Sequence, residues 1–137
     1  MYTKIMVPVD LAHIDKLDKA LTTATDLAKH YRIPICYVGV TAEAPTSVAH
    51  TPKEYADKLQ AFGAGQAEQH GIEVTTKAYP SHDPSVDLDR TLIDAARENG
   101  ADLIVMASHV PGVADHIFHS NSGTVASYSK VSVFVVR

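Results

Sequence analysis

The chain has 137 residues, a formal charge of −4 and one cysteine, with 45% hydrophobic and 20% charged residues. That size suits one folded domain with a full core, and the acidic balance, with no basic stripe and no run of about five like charges, argues against a nucleic-acid partner or a charged tail. Cys36 alone excludes an internal disulfide, no segment approaches the roughly 20 apolar residues of a membrane span, and the apolar stretch after Lys4 is too short for a signal peptide, so a cytoplasmic protein without a membrane partner is expected.

Lys4 to Asp10 is nearly all apolar (Ile5, Met6, Val7, Pro8, Val9), the pattern of a strand buried on both faces of a parallel sheet. Leu17, Leu21, Ala24, Leu27, Ala28 and Tyr31 then recur at spacings of three and four, one face of an amphipathic helix. Pro34 stops that helix, and Ile35 to Val40 reads as a second strand in which Cys36 is a buried, inert thiol. Thr41 to His50, with Pro45 and small polar residues, reads as a loop.

Thr51-Pro52-Lys53-Glu54 is a helix start: a Thr cap, Pro at the first helical position, and Glu three residues after the cap. The helix is expected to run through Tyr55, Leu59, Phe62 and Ala67 to His70, with Gly71 as its stop. Gly63 and Gly65 inside it point to a close packing contact or a soft spot. Glu73 to Tyr79 reads as a third strand. Asp83-Pro84-Ser85 opens a third helix carrying Leu88, Leu92, Ile93, Ala95 and Ala96, and Gly100 closes it. Leu103 to Ala107 and Val131 to Val136 read as the fourth and fifth strands, with a short helical piece near Gly123 to Ser129. Strands alternating with helices predict an α/β fold: one doubly wound domain over residues 1–137, with a parallel sheet and helices on both faces.

Ligands of such sheets bind beyond the carboxyl ends of the strands, where the strand order reverses. The first strand ends in Pro8-Val9-Asp10, and a carboxylate there accepts hydrogen bonds from a ligand or caps the following helix. The fourth ends in Ala107-Ser108-His109-Val110-Pro111-Gly112, where small residues let a ligand approach the backbone. Ser120-Asn121-Ser122-Gly123-Thr124 offers hydroxyls and amides ahead of a helical segment, which suits either a phosphate or an ordinary cap.

These segments carry a resemblance. Met1 to Asp10, Ala101 to His109, and Ser120-Asn121 through Val133-Phe134-Val135-Val136-Arg137 resemble the universal stress protein family. The nearest branch is the F/G type, with its Ala/Gly-Ser-His/Arg-x-Pro, about seven residues, then Gly-Ser-Asn. The likeness spans the chain, and its specific part is the C-terminal third. It implies strand order 3-2-1-4-5 and a regulatory module that binds ATP or AMP with little or no turnover. Asp10 and Val40 then flank the adenine, together with Pro8 and Val9. Ala107, Ser108 and His109 line the ribose and first phosphate, and Val110 and Gly112 belong to the same binding segment. Ser120, Asn121 and Ser122 hold the later phosphates, with Mg²⁺ bridging them, and His119 before them either offers a donor to a phosphate or displaces the bare backbone that glycine would give. Val110 and His119 stand where the family's pattern has glycine. The resemblance also implies a homodimer through the edge strand Val131 to Val136, in keeping with an apolar edge open to pairing.

Other readings carry less of the sequence. A nucleotide-free homodimer acting through protein contacts accommodates the missing glycines. A weak ATPase or phosphotransfer protein would use Ser120 or Ser122. A three-histidine metal site from His109, His116 and His119 would fall in a segment that reads as a ligand loop rather than a rigid helix, and a Ser108–His109–Asp115 hydrolase lacks a Gly-x-Ser-x-Gly elbow. Neither a Gly-x4-Gly-Lys-Ser/Thr loop nor a Gly-x-Gly-x-x-Gly after the first strand occurs, and Arg90 and Arg97 fall on a helix away from the expected site.

Overall fold

The computed structural model describes residues 1–108, 125–126 and 130–137. Five strands form one parallel sheet in the order β3-β2-β1-β4-β5, as the resemblance implies: β1 (Ile5–Pro8), β2 (Ile35–Ala42), β3 (Val74–Ser81), β4 (Leu103–Ala107) and β5 (Ser132–Val136). Three α-helices connect them: α1 (Asp18–Tyr31), α2 (Pro52–His70) and α3 (Pro84–Glu98).

The central strands are apolar because both their faces are covered. Ile5, Met6, Val7, Ile104, Val105 and Met106 are at most 1% exposed, and Cys36 is equally buried. β3 and β5 lie at the two edges, and their burial alternates along the strand as one-sided packing requires. That alternation also separates the helices. On one face Thr76 and Val74 meet Gly63 of α2, and Tyr37 packs edge-on against Phe62 at 5.2 Å between ring centroids. On the other face Ser81 donates to Asp87 (3.2 Å) and Tyr79 donates to Glu98 (2.9 Å), both on α3. Burial, with Glu98 alongside, pushes the Tyr79 phenol up to about 12. Helices therefore cover both faces.

Local signals explain most boundaries. The Thr51 hydroxyl accepts from the Glu54 amide at 3.1 Å, Pro52 follows, and Gly71 closes α2 at φ 65°. Glu54 reaches back one residue further than a simple capping box, accepting from the amide of His50 (3.1 Å). The buried face of α2 is Tyr55, Leu59 and Gly63, at a strict spacing of four.

Other boundaries differ from expectation. Leu11–Lys16 forms a 3-10 segment of its own, ahead of the helix that the Leu17–Tyr31 periodicity predicts. β2 continues through Thr41–Ala42 and β3 through Pro80–Ser81, because each extends the other's ladder. As Pro34 predicts, helix α1 ends before it, with Arg32 in the left-handed region at φ 57° and its amide closing on Ala28. Of the helical piece expected near Gly123 to Ser129, Val125–Ala126 are helical and Val125 is fully buried; the remainder lies outside the described residues.

Candidate functional site

The site is the carboxyl edge of the sheet where β1 stands between β2 and β4. The chain winds toward one edge through β2 and β3, then crosses back over β1 to β4 and β5, so the order reverses here and leaves a crevice.

Asp10 leaves β1 at this point. Pro8 and Val9 before it are buried, and the Val9 amide donates to the Val38 carbonyl at 2.8 Å, carrying the β1–β2 ladder to the strand end. Asp10 performs the capping role: its Oδ1 accepts from the Ala12 amide (3.0 Å) and opens the Leu11–Lys16 turn. Its Oδ2 lies 3.0 Å from His13 Nδ1, so the imidazole donates to it. Both oxygens are thus oriented, while the side chain stays 23% exposed at the crevice. A carboxylate held this way keeps further lone pairs for a ligand N–H or O–H. The cap and ligand roles are compatible.

The opposite wall comes from the β2–α2 connection, held by bonds around Thr46, Lys58 and Glu54. The Thr46 hydroxyl accepts from the amides of Val48 and Ala49, both at 3.2 Å, closing a tight turn. Lys58 donates to the Val48 carbonyl and sits 3.4 Å from Glu54 Oε1. The Glu54 carboxyl is held below its usual range, first by the His50 amide and then by Lys58. Leu11, Ala12, Ser47, Val48 and Lys58 line an open surface depression of about 430 Å³, within the size of common small-molecule sites, roughly 300–1,000 Å³.

Beneath this wall Tyr55 is 4% exposed. Its hydroxyl lies where a Cβ on Gly39 would come within 2.4 Å, so the ring end rests on bare β2 backbone. Burial, and then the charge of Asp10, push the phenol well above its usual range. Val40 follows Gly39 and is half-buried. On the far side of β1, Ala107 ends β4 at 8% exposure, and the buried Ser108 donates its amide to Val136 O at 2.9 Å.

The structure therefore brings Pro8, Val9, Asp10, Val40, Ala107 and Ser108 to one edge. His109, Val110, Gly112, His119, Ser120, Asn121 and Ser122 lie outside the described residues, as do His116 and Asp115. Among the described residues no three His, Cys, Asp or Glu side chains group as metal ligands, and no helix is long and apolar enough to cross a membrane. Of the expected off-site arginines, Arg97 pairs with Asp94 at 2.9 Å on α3. Sequence reasoning missed His13, Thr46, Tyr55 and Lys58. Thr46, three residues before the Ala49 amide it accepts from, was the one with a local signature.

A family model described as "Universal stress protein family" matches residues 1–137. Universal stress protein G of Shigella flexneri is 27% identical over 148 residues, covering all of both chains, in line with the F/G-type resemblance. Among solved structures, universal stress protein UspA from Lactobacillus plantarum superposes with a TM-score of 0.71 at 22% identity, covering 99% of this chain and 98% of that one. The universal stress protein from Archaeoglobus fulgidus in complex with dAMP gives a TM-score of 0.67 at 19% identity, covering 99% and 98%.

Proposed function

The chain belongs to the universal stress protein family, and we propose that it is a cytoplasmic regulatory module that holds ATP or AMP at the edge formed by Asp10, Val40 and Ala107, with little or no turnover. The observation that carries this reading is Asp10, a carboxylate at the end of β1 fixed by Ala12 and His13, next to Leu11 and Ala12, which line the open depression against the β2–α2 connection. An adenine nucleotide fits these residues. Leu11, Ala12 and Val48 offer apolar walls to a flat base, Asp10 offers an acceptor to its N–H or to a ribose hydroxyl, and Ala107 leaves the backbone open to approach. The dAMP held by the Archaeoglobus relative supports an adenine nucleotide as the ligand class.

By the family resemblance, His109, Val110, Gly112, His119, Ser120, Asn121 and Ser122 would hold the ribose and phosphates, and Mg²⁺, if it came with ATP, would offset the phosphate charge. In this reading the chain supplies binding rather than chemistry. The module works as a homodimer through Val131–Val136: β5 is a sheet edge, and Phe134 on it is 45% exposed. The same exposed strand favours, as a second reading, a nucleotide-free dimer acting through protein contacts.

Nucleotide content tests the choice. Protein purified under native conditions, then denatured, should release ATP or AMP identified by absorbance and chromatography, or take up either when stripped. Stripped protein that binds neither nucleotide sinks the first reading and leaves the second. Sustained ADP or phosphate release, lost on Ser120→Ala, would instead make the protein an enzyme.

A further inference from the structure

β3 ends the sheet on the side away from β5. The Glu73 and Ser81 carbonyls accept from the amides of Ile35 and Glu43, at 2.9 and 3.2 Å, so both point toward β2. Main-chain groups alternate along a strand, and Val74, Thr76 and Ala78 therefore turn their N–H and C=O groups outward. Among the described residues none bonds to these outward groups. Pro80, next in the series, has no N–H and ends it. Beside this edge runs an open groove of about 610 Å³, lined on the α2 side by Ala56, Gln60 and Ala64. Lys77 is exposed and is the one charged residue that lines it.

We infer that the outer edge of β3 takes up an extended, acidic segment of a partner protein as an added strand. Strand addition draws its affinity from main-chain bonds and its specificity from alternate side chains. Every second residue of the incoming segment enters the groove against Ala56, Gln60 and Ala64, where small or β-branched side chains fit. The residues between lie on the α3 face of the sheet beside the exposed Thr75 and Lys77, where a carboxylate pairs with the lysine across the strands. Lys77 also decides the occupant. Lysine and proline on an edge discourage pairing between copies, and a second β3 would bring a second Lys77 to the same seam. A strand bearing carboxylates is instead favoured by that charge. β5 and the switch-point edge lie elsewhere on the sheet, so the inference stands apart from both the β5 dimer and nucleotide binding.

The probe is the capped peptide acetyl-Ser-Glu-Val-Glu-Val-Ser-amide, titrated into the full chain and followed by NMR, with the peptide carrying Lys in place of Glu as its control. Wild type should bind the acidic peptide about two- to fivefold more tightly than the control, the worth of exposed ion pairs. Amide exchange should slow at Val74, Thr76 and Ala78. Lys77→Glu should reverse the preference between the peptides. Ala78→Pro removes one outward donor and leaves the bonds to β2 in place, and it should weaken the acidic peptide by about three- to tenfold. Circular dichroism checks both folds, and Lys77→Glu, an exposed change, decides the matter alone if Ala78→Pro does not fold. Amides of β3 that stay unaffected at millimolar peptide, or binding indifferent to both substitutions, overturn the inference. Sedimentation of the free protein tests the other occupant: an oligomer lost in Ala78→Pro would give this edge to a second copy and overturn the inference as well.

Discussion

His13 Nδ1 sits 3.0 Å from Oδ2 of Asp10, and Asp10 in turn caps the turn that carries His13, through its bond to the Ala12 amide. The pair is a closed local unit in which the carboxylate builds the backbone that presents the imidazole, and the imidazole fixes the carboxylate.

Asp10→Ala should therefore act on two scales. Loss of the cap should lower unfolding free energy by about 1 kcal/mol, while loss of an oriented carboxylate should weaken AMP binding by about tenfold or more. Denaturant unfolding and calorimetry separate the two. An Asp10→Ala protein that binds AMP as tightly as wild type contradicts the site assignment, whatever its stability.

The two glycines of α2 should respond in opposite directions. A Cβ at Gly63 would stand 2.5 Å from Thr76 Cγ2 and 3.1 Å from Val74 Cγ1, whereas one at Gly65 meets nothing within 4 Å. Gly63→Ala should destabilise by about 1–3 kcal/mol through overpacking against β3. Gly65→Ala should stabilise by about 0.5–1 kcal/mol through helix propensity alone. Equal effects of the two changes in urea unfolding would contradict the α2–β3 packing.

Asp102 ties the start of the chain to β4. Its carboxylate accepts from the Thr3 amide (3.0 and 2.9 Å), the Thr3 hydroxyl (3.0 Å) and the Lys4 amide (3.1 Å). Burial works against the charge, but the Lys4 and Thr3 amides and the Thr3 hydroxyl outweigh it and hold the carboxyl below its usual range. A depressed folded-state value stabilises above the unfolded value, and the benefit is lost as pH falls through the folded one. Stability should therefore drop on acidification below about pH 4, the ordinary Asp range. Asp102→Asn should cost about 1–3 kcal/mol at neutral pH and flatten that acid limb. Parallel wild-type and variant curves would show that the carboxylate contributes nothing through its charge.

Phe134 is the large apolar side chain exposed on edge strand β5. Phe134→Glu should shift the sedimentation of the protein from dimer to monomer while leaving its circular dichroism unchanged. A wild-type protein that sediments as a monomer at micromolar concentration would remove the dimer from the account.

Much of this architecture was legible in the chain. β4 runs from Leu103 to Ala107 as its apolar run predicts, and Thr51, Pro52 and Gly71 bound α2 as their chemistry requires. The 3-10 segment had a signal that went unread: Leu11, Ile14 and Leu17 recur at a strict three, the 3-10 period. β3 runs past its expected end at Tyr79 through Pro80, because on this edge strand the missing N–H of Pro80 costs no ladder bond. In the site, Asp10 and Ala107 follow from the rule that ligands meet strand ends. Tyr55 does not, because its contact with Gly39 joins residues sixteen apart through the packing of α2 on β2, and no local pattern encodes it.

The most direct test of the central claim is thermal unfolding of nucleotide-stripped protein with and without millimolar Mg-ATP or AMP. A site of micromolar Kd at a thousandfold excess of ligand adds about 4 kcal/mol to folding stability, so the account predicts an upward shift of several degrees in Tm with at least one nucleotide, and a smaller shift in Asp10→Ala. A Tm that stays at the ligand-free value with both nucleotides would contradict it.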